Sequence, residues 1–104
     1  MMNDLRTFGA RVREAREVRG KRSGRQFTQK MLAAKIGETL KWVKRLERGE
    51  FYPDWDSLAL LVDTCGVDMD FLLGEEMDRA LYEEATSGGQ VAGTIGREEL
   101  RGYH

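Results

Sequence analysis

Residues 28–50 read TQKMLAAKIGETLKWVKRLERGE, and two short apolar periodicities flank a glycine within them. Thr28 is an N-cap candidate for QKMLAAKI, in which Leu32, Ala33 and Ile36 form an apolar stripe and Gly37 supplies the stop. Thr39 is placed to cap a second helix, LKWVKRLER at 40–48, with Gly49 as its terminator. Two short helices joined by about three residues predict a helix-turn-helix unit.

On a wheel of about 100 degrees per residue, Val43 and Leu46 share one side of the helix at 40–48. Lys41, Lys44, Arg45 and Arg48 fall opposite them within an arc of about 100 degrees. Four cations with no anion among them read better as a surface for something negative than as a solvated face. An α-helix fits the DNA major groove, where Lys and Arg donate to guanine O6 and N7 and an apolar group meets a thymine methyl. Base edges are therefore assigned to Lys41, Lys44 and Arg45, with Leu40 at the flank, and Arg48 at the helix end is assigned to phosphate.

Working outward, Leu5, Phe8, Val12 and Ala15 recur at helical spacing after Asn3 or Asp4, which predicts a first helix from 4 to about 19 ended by Gly20. GKRSGRQ at 20–26 reads as a basic loop. After Pro53, Asp54 caps a helix that places Leu58, Leu61, Val62 and Cys65 on one face before Gly66. Asp68 begins a last short helix, MDFLL, stopped by Gly74. EEMDRALYEEA at 75–85 reads as a polar helical extension with Met77, Leu81 and Tyr82 for docking, and TSGGQVAGTIG from Thr86 as linker or disordered tail. The expected division is a DNA-binding domain at 4–74 and an acidic, then Gly-rich tail at 75–104, partly helical or disordered.

The order and spacing of these motifs resemble the Xre/Cro family of helix-turn-helix DNA-binding proteins, which includes the lambda-type phage repressors. The resemblance spans roughly 5–74: GARVREARE, the Thr-Gln opening at 28–29, the Leu-Ala-x-x-Ile-Gly body, the Leu-Glu-Arg-Gly-Glu exit and GVDMDFLLGE. It implies an all-α, compact five-helix fold, with Gln29 on a phosphate and the helix at 40–48 in the major groove. It also implies that Arg16 pairs with Glu47, a reading the residues support independently, since both border apolar stripes and each needs the other. Phe51, Tyr52 and Met69 correspond to the surface through which such domains dimerise, and a core role is expected for Phe71.

Departures from the family pattern are informative. About six extra residues, KRSGRQ at 21–26, intervene before Phe27; either Lys21, Arg22 and Arg25 track phosphates, beside Thr28 and Gln29, or the segment is a tolerated surface loop. Met31 stands where a Glu often completes a capping box with Thr28. Trp42 stands where a small polar residue is expected, and its wheel position predicts packing at the domain edge. The loop EFYPDW lacks phosphate-binding cations, and Glu50 would repel DNA if turned inward.

The chain has 104 residues with 17 Lys or Arg, 18 Asp or Glu, and a net charge of −1, room for one domain and too little for a large enzyme. Residues 1–53 carry 14 basic against 6 acidic side chains and 54–104 carry 3 against 12, so a basic half suited to a polyanion precedes an acidic one. One His and one Cys exclude an internal disulfide and fall short of a structural zinc set, and no nucleophile, base and orienting group can be assembled. Cys65 reads as a core residue, His104 as a terminal residue and not a ligand, and the Gly-rich tail lacks the Lys and Ser or Thr of a phosphate loop.

No apolar run suits a membrane span or a secretory signal, so the expectation is a cytoplasmic bacterial or phage protein with no cofactor, no metal and no catalytic residues. The expected function is a sequence-specific transcriptional regulator, a repressor bound as a dimer to an inverted repeat. The alternatives are an antitoxin-type autoregulator whose acidic segment holds a protein partner, and an interaction module that keeps the fold without DNA specificity.

Overall fold

A computed structural model describes residues 3–75 and 77–86 of the chain. The expectations for the segment from 87 to His104 fall outside the described residues. Six helices follow in order: α1 Leu5–Ser23, α2 Gln29–Ile36, α3 Leu40–Glu47, α4 Trp55–Cys65, α5 Met69–Leu73 and α6 Arg79–Thr86. The described residues are thus all-helical, and no helix among them is long and apolar enough to cross a membrane.

Local chemistry starts most of these helices. Asp4, Thr28, Thr39 and Asp54 each accept a hydrogen bond from the backbone N–H three residues on, satisfying an orphan donor of the first turn. Gly37 and Gly66 end α2 and α4 in the left-handed conformation, at φ 71° and 72°, which an L side chain reaches only with strain.

The first helix runs one turn beyond the stop expected at Gly20. It ends at Ser23, with Gly24 as the left-handed cap. Gly20 is instead a point of close approach: a Cβ there would lie 2.9 Å from the Arg25 carbonyl oxygen and 3.0 Å from the Phe27 nitrogen. The returning chain folds over it and delivers Phe27 to the core, where the Arg19 guanidinium lies 4.2 Å from the ring centroid. The missing side chain therefore serves packing, at a cost of about 1 kcal/mol in helix propensity. The added turn also docks: Arg19 donates to the Thr64 carbonyl and Arg22 to the Gly66 carbonyl, which satisfies acceptors left open at the C-terminus of α4.

A continuous core joins Phe8, Val12, Leu32, Val43, Leu46, Leu58, Leu61, Leu72 and Leu73, each at most 1% exposed. Helix α1 packs across α3, α4 and α5, and α2 packs against α3 and α4. The face predicted for α4 is the one that is buried, with Leu58, Leu61 and Cys65 inside and Val62 half-buried beside them. Phe71 is half-buried against the core and not fully within it.

Two expectations are corrected in the loop after α3. Phe51 and Tyr52, read as dimer-surface residues, are 3% and 5% exposed and belong to the core. Phe51 packs on Trp42 with centroids 5.3 Å apart, and Tyr52 packs on Phe8 at 5.2 Å while its hydroxyl donates to the Asn3 carbonyl at 2.6 Å. The aromatic surface draws the loop inward because the step from α3 to α4 crosses an open edge of the core, and these rings fill it. Met69, the third residue of that set, is half-buried on α5.

The segment after Gly74 also packs more closely than its polar composition predicts. Tyr82 of α6 is 1% exposed, packed at a tilt against Trp55 and edge-on to Tyr52, and its hydroxyl donates to the Pro53 carbonyl. Leu81, expected to dock, remains 49% exposed, and Met77 is half-buried. The helical core thus extends to Thr86, beyond the boundary drawn at residue 74.

Candidate nucleic-acid interface

Helix α3 is sharply two-sided. Val43 and Leu46 are fully buried and Trp42 is 4% exposed, so the wheel flank of Trp42 is a packing surface, where its Nε1–H finds no acceptor among the described residues. Leu40, Lys41, Lys44 and Arg48 are exposed and Arg45 is half-exposed on the other side. The helix proper ends at Glu47, and Arg48 forms its C-cap. The three residues 37–39 join α2 to α3, so the N-terminus of α2, with Thr28 and Gln29, lies on the same packed pair as the cationic face.

The pair is fastened to α1 by a buried ion pair. Arg16 donates from Nε to Glu47 Oε2 at 2.7 Å and from Nη2 to Oε1 at 3.0 Å, and its Nη1 donates to the Phe27 carbonyl at 3.0 Å. The side chains are 13% and 4% exposed, so each charge depends on the other for what water no longer supplies. Hydrogen bonding to Glu47 raises the pKa of Arg16 further above its ordinary value, against the opposing effect of burial. Gln29, expected on a phosphate, donates its Nε2–H to Glu47 Oε1 at 3.0 Å, and the Thr28 hydroxyl accepts from Met31 N. Both side chains thus have hydrogen-bonding roles within the protein.

A second requirement of this junction is Gly9, which the sequence reading passed over. A Cβ on Gly9 would sit 2.7 Å from both the Glu47 carbonyl oxygen and the Gly49 nitrogen, so only glycine lets α1 approach the end of α3. A lone glycine inside an otherwise helical stretch was the available signal.

Around this junction lies a cleft of about 410 Å³ lined by Arg13, Arg16, Gln29, Lys44, Glu47 and Arg48. Arg13 was not singled out because its place on α1 relative to α3 exists only in the folded chain. Lys21 and Arg25 line a separate recess of about 530 Å³ together with Arg16, Glu17 and Phe27. Arg22 does not join them: it faces α4 and α5, beside Gly66, Asp68 and Phe71. The structure therefore sets Arg22 apart from Lys21 and Arg25.

Glu50 holds two of the cations of α3. It accepts from Arg45 Nε at 3.0 Å and from Arg48 Nε at 2.7 Å, and these bonds lower its pKa below the usual carboxylate range. Among the described residues no group of three or more His, Cys, Asp or Glu is placed to hold a metal. Burial pushes the Cys65 thiol up to about 11, so it stays protonated and unreactive at neutral pH. The arrangement offers cations and N–H donors on an exposed helix, which is chemistry for binding a polyanion.

Comparison with known proteins finds no matching family model, no matching curated protein and no matching solved structure.

Proposed function

We propose that this chain is a sequence-specific DNA-binding transcriptional regulator of the Xre/Cro helix-turn-helix type, acting as a dimer on an inverted repeat and repressing by occlusion. The observation that carries the reading is the two-sided α3: three side chains anchor it in the core and its opposite face carries Lys41, Lys44, Arg45 and Arg48. An α-helix with its side chains is about 10–12 Å across, which fits the major groove of about 12 Å width. The motif order from Thr28 to Glu50 supports the family assignment.

In this reading Lys41, Lys44 and Arg45, with Leu40 at the flank, address base edges. Thr28, Gln29, Arg48, Lys21 and Arg25 address the backbone and set the register. Because Phe51 and Tyr52 are in the core, the dimer contact falls to α5, where Met69 and Phe71 remain half-exposed. The test is selection of bound duplexes from a random DNA pool at near-physiological salt. An enriched inverted repeat, with half-sites about one helical turn apart, is the expected result. Absence of any enriched sequence would overturn the proposal.

A further inference from the structure

Glu50 is an anion on a surface that otherwise gathers cations, and its geometry gives it a task. Each carboxylate oxygen takes one Nε–H, from Arg45 and from Arg48, so the hydrogen bonds occupy the inner edge of both guanidinium groups. The hydrogen bond from Arg45 to Glu50 is made through Nε, the inner nitrogen of the guanidinium. The Arg45 guanidinium carbon also lies 6.0 Å from the centroid of Phe51, which is buried and packs at a tilt on Trp42. Arg45 is thus bounded on one edge by a carboxylate and has a buried ring beside it.

We propose that Glu50 is a specificity-determining positioning residue that holds Arg45 so that its two terminal nitrogens address the O6 and N7 edge of a guanine. This rests on the DNA-binding reading given above and names the base pair that Arg45 reads, a G·C pair. A guanidinium carries five donors in a rigid fork. With Nε committed, the Nη pair is left for bidentate bonding in the major groove. An unrestrained arginine on an exposed helix would spread over many rotamers and find phosphates as readily as bases. The anion also lowers attraction to any phosphate nearby, so Glu50 trades affinity for all DNA against discrimination at one position. Hydrogen bonds from Arg45 and Arg48 lower its pKa, which favours the ionised form. Trp42 and Phe51, packed on each other, supply the buried backing.

The experiment measures dissociation constants for the selected duplex, for its single-base-pair variants and for scrambled DNA, using the full chain as wild type, Glu50→Ala, Glu50→Gln and Arg45→Ala. Glu50 is an exposed side chain, and unchanged circular dichroism verifies that the variants fold. Glu50→Ala is expected to bind scrambled DNA more tightly. It should also lose, at the same base pair as Arg45→Ala, most of a guanine preference of about 5- to 150-fold. Glu50→Gln, which keeps an acceptor for Nε, should retain most of that preference. If Glu50→Ala tightens selected and scrambled DNA equally and leaves every single-base ratio unchanged, Glu50 is only a repulsive charge and the inference falls. If the wild type prefers no sequence and Arg45→Ala alters no ratio, the DNA reading itself falls and takes the inference with it.

Discussion

Replacing Arg16 by alanine removes the three hydrogen bonds that tie α1 to Glu47 and to the Phe27 carbonyl. The Glu47 carboxylate, 4% exposed, is then left with the Gln29 amide as its remaining side-chain donor. Breaking a buried pair by removing one partner costs about 3–5 kcal/mol, and the Gln29 bond places this case near the lower end, at about 3 kcal/mol. For a helical unit of this size that corresponds to a fall in Tm of roughly 12–24 °C. The total stability of such a domain is about 5–15 kcal/mol, so the variant remains measurable. Urea titrations followed by circular dichroism, on Arg16→Ala, Glu47→Ala, the double alanine variant and the isosteric pair Arg16→Met with Glu47→Leu, give the full comparison. The alanine cycle should return a coupling of about 2 kcal/mol, and the apolar pair should lie within about 1 kcal/mol of wild type. A loss below about 1 kcal/mol for Arg16→Ala, with additive effects in the cycle, would refute the view that this pair locks α3 in place.

Gly9→Ala should lower stability by about 1–3 kcal/mol in the same assay, because its methyl group would meet backbone atoms of α3 and the helices must part; a rise in Tm would contradict the close approach. Tyr82→Ala should cost about 3–5 kcal/mol if α6 belongs to the cooperative core, and a second, separate unfolding transition in wild type would show that it does not. Lys21→Ala should weaken binding to every DNA sequence alike and reduce the salt slope by about one, whereas an effect confined to one base pair would move Lys21 from the backbone to the base edges. Cys65 should resist alkylation at pH 8 in the folded chain and react on unfolding: its pKa of about 11 leaves little thiolate below pH 9, and rapid native labelling would show that the thiol is accessible.

The basic half of the chain and its acidic half have a structural counterpart that the total charge of −1 conceals. Cations of the first half are spread over α1, α2, α3 and the loop between α1 and α2, while the acidic residues Asp56, Asp70 and Glu83 lie on α4, α5 and α6. Attraction to a polyanion would thus come from the first three helices.

What the sequence by itself determined was local. Thr28, Thr39, Asp54, Gly37 and Gly66 act on atoms within five residues of themselves, so their identities suffice to place the starts of α2, α3 and α4 and the stops of α2 and α4. The two sides of α3 were legible for the same reason: a period of about 3.6 residues assigns Val43 and Leu46 to one side and the cations to the other. Tertiary structure decided the rest, because each remaining answer depends on a residue distant in sequence. Gly20 resembles a helix stop until Arg25 and Phe27 fold back over it. Phe51 and Tyr52 look like an exposed aromatic pair until Trp42 and Phe8 supply the surfaces that bury them, and Tyr82 turns a polar extension into part of the core by meeting Trp55 and Tyr52. Local hydrogen bonds choose the helices, and burial of aromatic surface across long stretches of chain chooses which face each helix and loop presents.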